Sequence, residues 1–238
     1  MEWFQHWFDT SYYHVLYQDR NDEEAQLFMC NLSSFLDLKK GNKVLDLPCG
    51  KGRHSIFLNS LGFDVIGADL SKNSISHAKK FENEGLSFKV HDMREPFKTK
   101  FDAILNLFTS FGYFDEDKVN IQVLRNLKDG LSENGVLVID FMNVAFVEKK
   151  LVKEEIITKN NIQFHINRSI DNGFIKKDIR FTADAQEHHY NEYVRYINLD
   201  TFKKYIDAAG LKLKHTFGDY DLNPFDIENS NRLILVLE

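Results

Sequence analysis

The chain has 238 residues, 43% of them hydrophobic, a formal net charge of −6 and two cysteines, Cys30 and Cys49. This size and apolar content sustain a sizeable core and exclude a disordered chain, while the acidic balance supplies no global basic field and so disfavours nucleic acid as a partner. Two thiols cannot staple a secreted scaffold, which points to a reducing cytoplasm; Met1 to Asp9 lacks the pattern of a signal peptide, and no later run is apolar for long enough to span a bilayer.

The segment 1–42 precedes the first strand pattern and reads as an N-terminal helical arm or lid. Trp3, Phe4, Trp7 and Phe8 fit the packed face of a helix. Tyr13, His14, Tyr17 and Arg20 carry the mixed apolar and polar character of a closing active site. From 43 to 143 short aliphatic runs alternate with helical patterns, as in a parallel sheet built from βαβ units. The runs are Val44–Leu47, Val65–Ala68, Phe88–Val90, Ala103–Leu107 and Val136–Ile139. Between them, helices are predicted over Arg53–Leu61, over Lys72–Glu82 behind a Ser71 cap, and over Glu116–Lys128, where Ile121, Leu124, Leu127 and Leu131 share a face.

After Asn143 the period changes. Ile162, Phe164 and Ile166 alternate with polar residues, Asp171-Asn172-Gly173 reads as a tight turn, and runs at Phe174–Phe181 and His189–Ile197 follow. The segment 144–198 is therefore expected to be an antiparallel β insertion rather than a domain of its own, since no Pro/Gly/Ser-rich linker flanks it. Residues 199–238 return to the core with a helix over Thr201–Ala209 and strands at Leu211–Phe217 and Arg232–Leu237, joined by a short hairpin that makes the last strand antiparallel. The predicted fold is a doubly wound α/β sheet of seven mostly parallel strands, Rossmann-like, carrying the insertion and the arm.

The first strand runs into Asp46-Leu47-Pro48-Cys49-Gly50-Lys51-Gly52-Arg53-His54 and then into a helix, at the switch point where open α/β sheets bind ligands. A dinucleotide fingerprint requires glycine at the places held by Pro48, Gly50 and Arg53, and only Gly50 matches. Gly50 and Gly52 allow close backbone approach, so a ligand carboxylate can lie near the helix N-terminus. About twenty residues on, Asp69 stands where an acid accepts both ribose hydroxyls, beside Leu70 and Ser71. Asp92, followed by Met93 and Arg94, can accept from an adenine amino group, with Leu70 and Met93 as faces for the ring. Cys49 reads as a small packing residue, and His54 suits either packing or a role beside the site.

These motifs resemble those of the class I S-adenosylmethionine-dependent methyltransferases. Asp46 to Gly52 is similar to the first motif, Asp69 to the ribose-binding acid, Asp92-Met93 to the adenine-binding pair, and Asn106-Leu107-Phe108 to the fourth motif, with Pro48 departing from the usual glycine. The resemblance implies a cofactor site of Arg20, Asp46, Pro48, Cys49, Gly50, Gly52, Arg53, His54, Asp69, Leu70, Ser71, Asp92, Met93, Arg94, Asn106, Leu107 and Phe108. The order of arm, core, insertion and return resembles glycine N-methyltransferase and the amino-sugar N,N-dimethyltransferases, which implies a small methyl acceptor and allows a homodimer.

The aromatic loop Asn106 to Phe114 is the candidate methyl-transfer wall, with His14, Tyr17, Tyr13 and Phe111 the candidates for acceptor chemistry. Asp140, Asn143 and Arg195 suit either the acceptor or a structural hydrogen bond. A neutral amine needs little beyond alignment; an oxygen acceptor needs a base, for which His14, His54 and His188 are available. His188 and His189 point to opposite faces of a strand, so no metal pair is expected. Alternatives to a small-molecule enzyme are an RNA or protein methyltransferase, which would need a basic concave face around the fourth motif, and a non-catalytic cofactor-binding protein.

Overall fold

A computed structural model describes residues 2–19 and 22–238. Arm helices α1 (Trp3–Trp7) and α2 (Ser11–Leu16) come first, α2 capped by Thr10, whose hydroxyl accepts from the Tyr13 amide. Helix α3 (Asp22–Phe35) leads into β1 (Lys43–Asp46). The core continues through α4 (Arg53–Ser60), β2 (Asp64–Asp69), α5 (Lys72–Ala78), β3 (Leu86–Val90), β4 (Phe101–Asn106), α6 (Asp117–Gly130) and β5 (Leu131–Met142). Then come α7 (Val144–Lys149), the insertion strands β6 (Glu154–Lys159), β7 (Ile162–Asp171), β8 (Phe174–Ala183) and β9 (Gln186–Arg195), and finally α8 (Leu199–Ala209), β10 (Leu213–Phe217) and β11 (Arg232–Leu237).

The seven-stranded sheet has the order β10-β11-β5-β4-β1-β2-β3, with β11 antiparallel to both neighbours and the rest parallel. Neighbouring strand residues feed opposite faces: Leu45, Ile104 and Ile139 pack under α6 and α8, whereas Val44, Ala103 and Val138 join the cluster containing Phe28, Met29 and Leu32 of α3. Chain progression reverses between β1 and β4, which opens the switch-point crevice at their carboxyl ends. Ser71 caps α5 by accepting from the Ser74 amide at 3.0 Å, as predicted, and Gly210 ends α8 in the left-handed region.

The insertion is a four-stranded antiparallel sheet, β6-β7-β8-β9, with the tight turn at Asn172-Gly173, both at positive φ. Its strand β6 escapes the sequence pattern because it is an edge strand with both sides largely exposed, so no alternation marks it. Helix α5 stops at Ala78 and hands over to a 3₁₀ turn, Lys79–Phe81, short of the predicted Glu82. The connection between the last strands is not short: it runs through residues 218–231.

The arm is part of the packing. Trp7 and Leu16 form one cluster with Phe164, Ile166, Ile179 and Phe181 on the inner face of the insertion sheet, and Trp7 is fully buried. Phe4 belongs to the main cluster, and Trp3 and Phe8 bridge the two, all three meeting Tyr113 at the carboxyl edge of the large sheet.

Candidate active site

The turn after β1 is held to β2 from both sides. The Cys49 amide donates to the Ala68 carbonyl at 2.9 Å and the Gly50 amide to Asp69 Oδ2 at 2.8 Å, while Asp69 Oδ1 accepts from the Ser71 amide at 2.8 Å. The two glycines differ in role. Gly50 has φ +55° and nothing within 4 Å of where a Cβ would stand, so the backbone there faces open space. Gly52, the N-cap of α4 at φ +85°, would drive a Cβ to 2.6 Å from the Phe88 ring, so its glycine serves packing. Pro48 follows a cis peptide bond.

Asp46 is buried and Asp69, at the end of β2, is half-buried. Burial pushes the Asp46 carboxyl up to about 7, against a 2.6 Å hydrogen bond from Ser55 Oγ, and burial likewise raises Asp69 against its backbone donors. The Cys49 thiol is pushed up by burial and then by Asp46 and Asp69, which leaves it inert. Arg53 pairs with Asp22 at 2.6 Å, and the His54 ring lies flat against Phe108, centroids 4.6 Å apart and 9° from parallel.

Asp92 is engaged by its own neighbour. Arg94 donates from Nε at 3.0 and 3.1 Å, from Nη2 at 2.6 Å and from its amide at 2.9 Å. Burial alone would raise the Asp92 carboxyl, but these bonds outweigh it and hold it below the ordinary carboxylate value. Arg94 also reaches Glu2 at 2.9 Å, which ties the start of the arm to the end of β3. A second tie is Asp9, which accepts from the Ser71 hydroxyl and from the Asn73 amide at 3.1 Å at the start of α5. Leu70 and Met93 are half-buried at the edge of the main hydrophobic cluster.

In the loop after β4, Asn106 is fully buried; its Nδ2 donates to the Leu47 carbonyl at 2.9 Å, and its Oδ1 has no hydrogen-bond partner. Leu107 and Phe111 are core residues, Phe111 lying against Phe202 at 5.7 Å, so the structure removes Phe111 from the acceptor wall. Tyr113, two residues on, is half-buried and packs on Trp3, Phe4 and Phe8 with its hydroxyl bonded to the Thr109 carbonyl at 2.6 Å. On α2, Tyr13 sits among Trp7, Phe8, His14 and Tyr17. Tyr17 donates to Glu192 Oε1 at 2.7 Å and accepts from Lys177 at 2.5 Å. Arg20 lies outside the described residues.

Sequence reasoning missed Glu2, Asp9, Glu192, Arg232 and Tyr220, all of which make contacts distant in the chain; Arg232 and the Tyr220 hydroxyl both donate to Asp140, at 2.7 and 3.3 Å. His188 stacks on Phe181 on the inner face of the insertion sheet while His189 pairs with Asp178 on the outer one, the split its position implied. Among the described residues no group of histidines, cysteines and carboxylates could hold a metal ion, and no helix is long and apolar enough to cross a membrane.

The turn, acid and loop described above lie within residues 38–197, which match the model of a family described as methyltransferase domain. Over 107 residues the chain is 34% identical to YqeM of Bacillus subtilis (strain 168), covering 43% of this chain and 43% of YqeM, so it spans less than half of that relative. It is 25% identical over 209 residues to the glycine/sarcosine N-methyltransferase of Parasynechococcus marenigrum (strain WH8102), covering 82% of this chain and 71% of that protein. A solved S-adenosylmethionine-dependent methyltransferase from Clostridium acetobutylicum ATCC 824 has the same fold, with a TM-score of 0.81 at 18% identity and 95% of each chain covered. The chain belongs to the methyltransferase-domain family and, with its switch-point glycine turn and seven-stranded sheet, to the class I, S-adenosylmethionine-dependent group.

Proposed function

We propose that the protein transfers a methyl group from S-adenosylmethionine to a nitrogen of a small molecule. The observation that carries this reading is the arm: Trp3, Phe4 and Phe8 pack on Tyr113 of the loop after β4, and Asp9 bonds to Ser71 and Asn73 beyond β2, so the arm lies against the carboxyl edge of the sheet and leaves room there for a small acceptor. A polymer would need that edge open.

The residues suit the cofactor. Open space above Gly50 leaves room for the amino-acid end, Asp69 still has lone pairs for the ribose hydroxyls, Leu70 and Met93 offer faces to the adenine, and the unpartnered Asn106 Oδ1 suits a donor such as an ammonium. When bound, S-adenosylmethionine supplies an electrophilic methyl carbon on a sulfonium. The chain contributes orientation and exclusion of water: the arm closes one side, and Phe108, Thr109 and Tyr113 shape the other. Amine nitrogen is favoured over oxygen because a neutral amine needs no base and because the Parasynechococcus relative is named as an N-methyltransferase.

Two free thiols, Cys30 and Cys49, support a reducing compartment such as the cytoplasm. The open edge of β6 supports a homodimer: antiparallel self-pairing centred between Ile156 and Ile157 would set Glu154 against Lys159 of the second copy, which sedimentation equilibrium tests. The function itself is tested by incubating purified protein with methyl-labelled cofactor and a panel of small primary and secondary amines. Label in a small amine supports the proposal; label only in RNA or protein from a cell extract contradicts it.

A further inference from the structure

Phe108 and Thr109, directly beyond β4 and Leu107, both sit at positive φ, +57° and +59°. Consecutive non-glycine residues in this region, one of them β-branched, persist only where the surroundings over-determine them. Here the surroundings are a buried ion pair. Asp140, fully buried near the end of β5, accepts from the Phe108 amide at 2.8 Å through Oδ2 and from Arg232 Nε at 2.7 Å through Oδ1. Its carbonyl accepts from the Thr109 amide at 2.9 Å. Arg232, at the start of β11, donates a second bond to Thr109 Oγ1 at 3.1 Å. Both amides and one side chain of the strained corner are thus tied to one pair of residues that never reaches the glycine turn itself.

What the corner presents is the Phe108 ring, stacked on His54 in the first turn of α4, with the Arg53 guanidinium 5.9 Å from its centroid. The geometry points to Asp140 and Arg232 as positioning residues for the cofactor site, acting through Phe108 by holding its ring on His54; this rests on the reading of the site proposed above. The pair suits the task because loss of either member leaves a buried charge and releases both left-handed residues to relax together.

The test compares Arg232→Lys, which keeps the charge but loses the planar fork, with Phe108→Leu and with the double variant. Each is followed by thermal unfolding, by calorimetric titration of S-adenosylhomocysteine, and by NMR of the His54 ring protons in the ligand-free chain. Arg232→Lys is expected to remain folded and to weaken binding about tenfold, while the double variant binds no more weakly than Phe108→Leu alone, because residues acting through one another are not additive. The His54 signals of Arg232→Lys should move from their ring-current position toward those of Phe108→Leu. Additive losses in the double variant, or unmoved His54 signals in folded Arg232→Lys, overturn the inference. Should Arg232→Lys fail to fold, Thr109→Val removes only the hydroxyl that Arg232 reaches, with the same expected and overturning results. Failure of the underlying cofactor reading shows separately, as absence of binding in the wild type.

Discussion

Trp7 Nε1 donates to Glu192 Oε1 at 2.7 Å, a bond between α1 and β9 that fastens the arm to the insertion sheet. Glu192 also accepts from Tyr17 at 2.7 Å and pairs with Lys177 at 2.9 Å, and its side chain is only 14% exposed. Arm and insertion therefore share one polar latch above one apolar cluster.

Glu192→Gln should destabilise the protein by about 2 kcal/mol, less than a fully buried pair because both side chains keep some water. Burial would raise the Glu192 carboxyl, but Lys177, Trp7 and Tyr17 outweigh it and hold it below its ordinary 4.5. A depressed folded value means that the stabilisation is complete above 4.5 and is lost as pH falls through the lowered value. Urea unfolding of wild type and variant should therefore differ at neutral pH and converge in acid. A gap that persists unchanged in acid would show that the latch does not depend on the charge.

Asp46 carries the opposite sign. Burial lifts it from 3.8 to about 7, so the folded protein holds the proton more tightly than the unfolded chain, and this contribution to stability is lost as pH rises from 3.8 to about 7. Asp46→Asn, which can still accept the Ser55 hydroxyl, should be more stable than wild type above pH 7 by at most roughly 4 kcal/mol and nearly equal to it near pH 4. Equal stability at every pH would mean that Asp46 is not desolvated as its burial implies.

The two turn glycines should separate under alanine substitution. Gly50→Ala meets open space and should cost about 1 kcal/mol of stability for its positive φ, while filling part of the proposed cofactor site. Gly52→Ala strikes the Phe88 ring and should cost about 3 kcal/mol, most of it from overpacking. Thermal unfolding alongside S-adenosylhomocysteine titration tests the split: the reverse pattern, with Gly52→Ala stable but unable to bind, would exchange their roles.

Local patterns made much of this fold legible. Val44, Val65 and Val138 lie in strands buried on both faces, which read as short apolar runs, and Asp69 stands at the end of such a run, where its bond to the Gly50 amide brings it beside the turn. The Arg94 grip on Asp92 was also within reach, since the two are separated by a single residue. Other features depend on distance in the chain. Arg232 meets Asp140 across 92 residues, and nothing in its own neighbourhood marks it as a partner. Phe111 and Tyr113 are neighbours of similar type in one loop, and only the packing of Phe202 on one side and Trp3 on the other decides which enters the core. Strand β6 lacked a pattern because an edge strand with two wet faces has no period to show.

The central claim is that Asp69 and the Gly50 turn, joined by a 2.8 Å hydrogen bond, hold the cofactor. Calorimetric titration of S-adenosylhomocysteine into wild type and Asp69→Asn tests it most directly. The account predicts saturable one-site binding to the wild type, weakened about tenfold or more in a folded Asp69→Asn chain, because a neutral amide cannot replace charge-assisted acceptance from two ribose hydroxyls. Equal affinities in the two folded proteins, or no binding by the wild type, would contradict it.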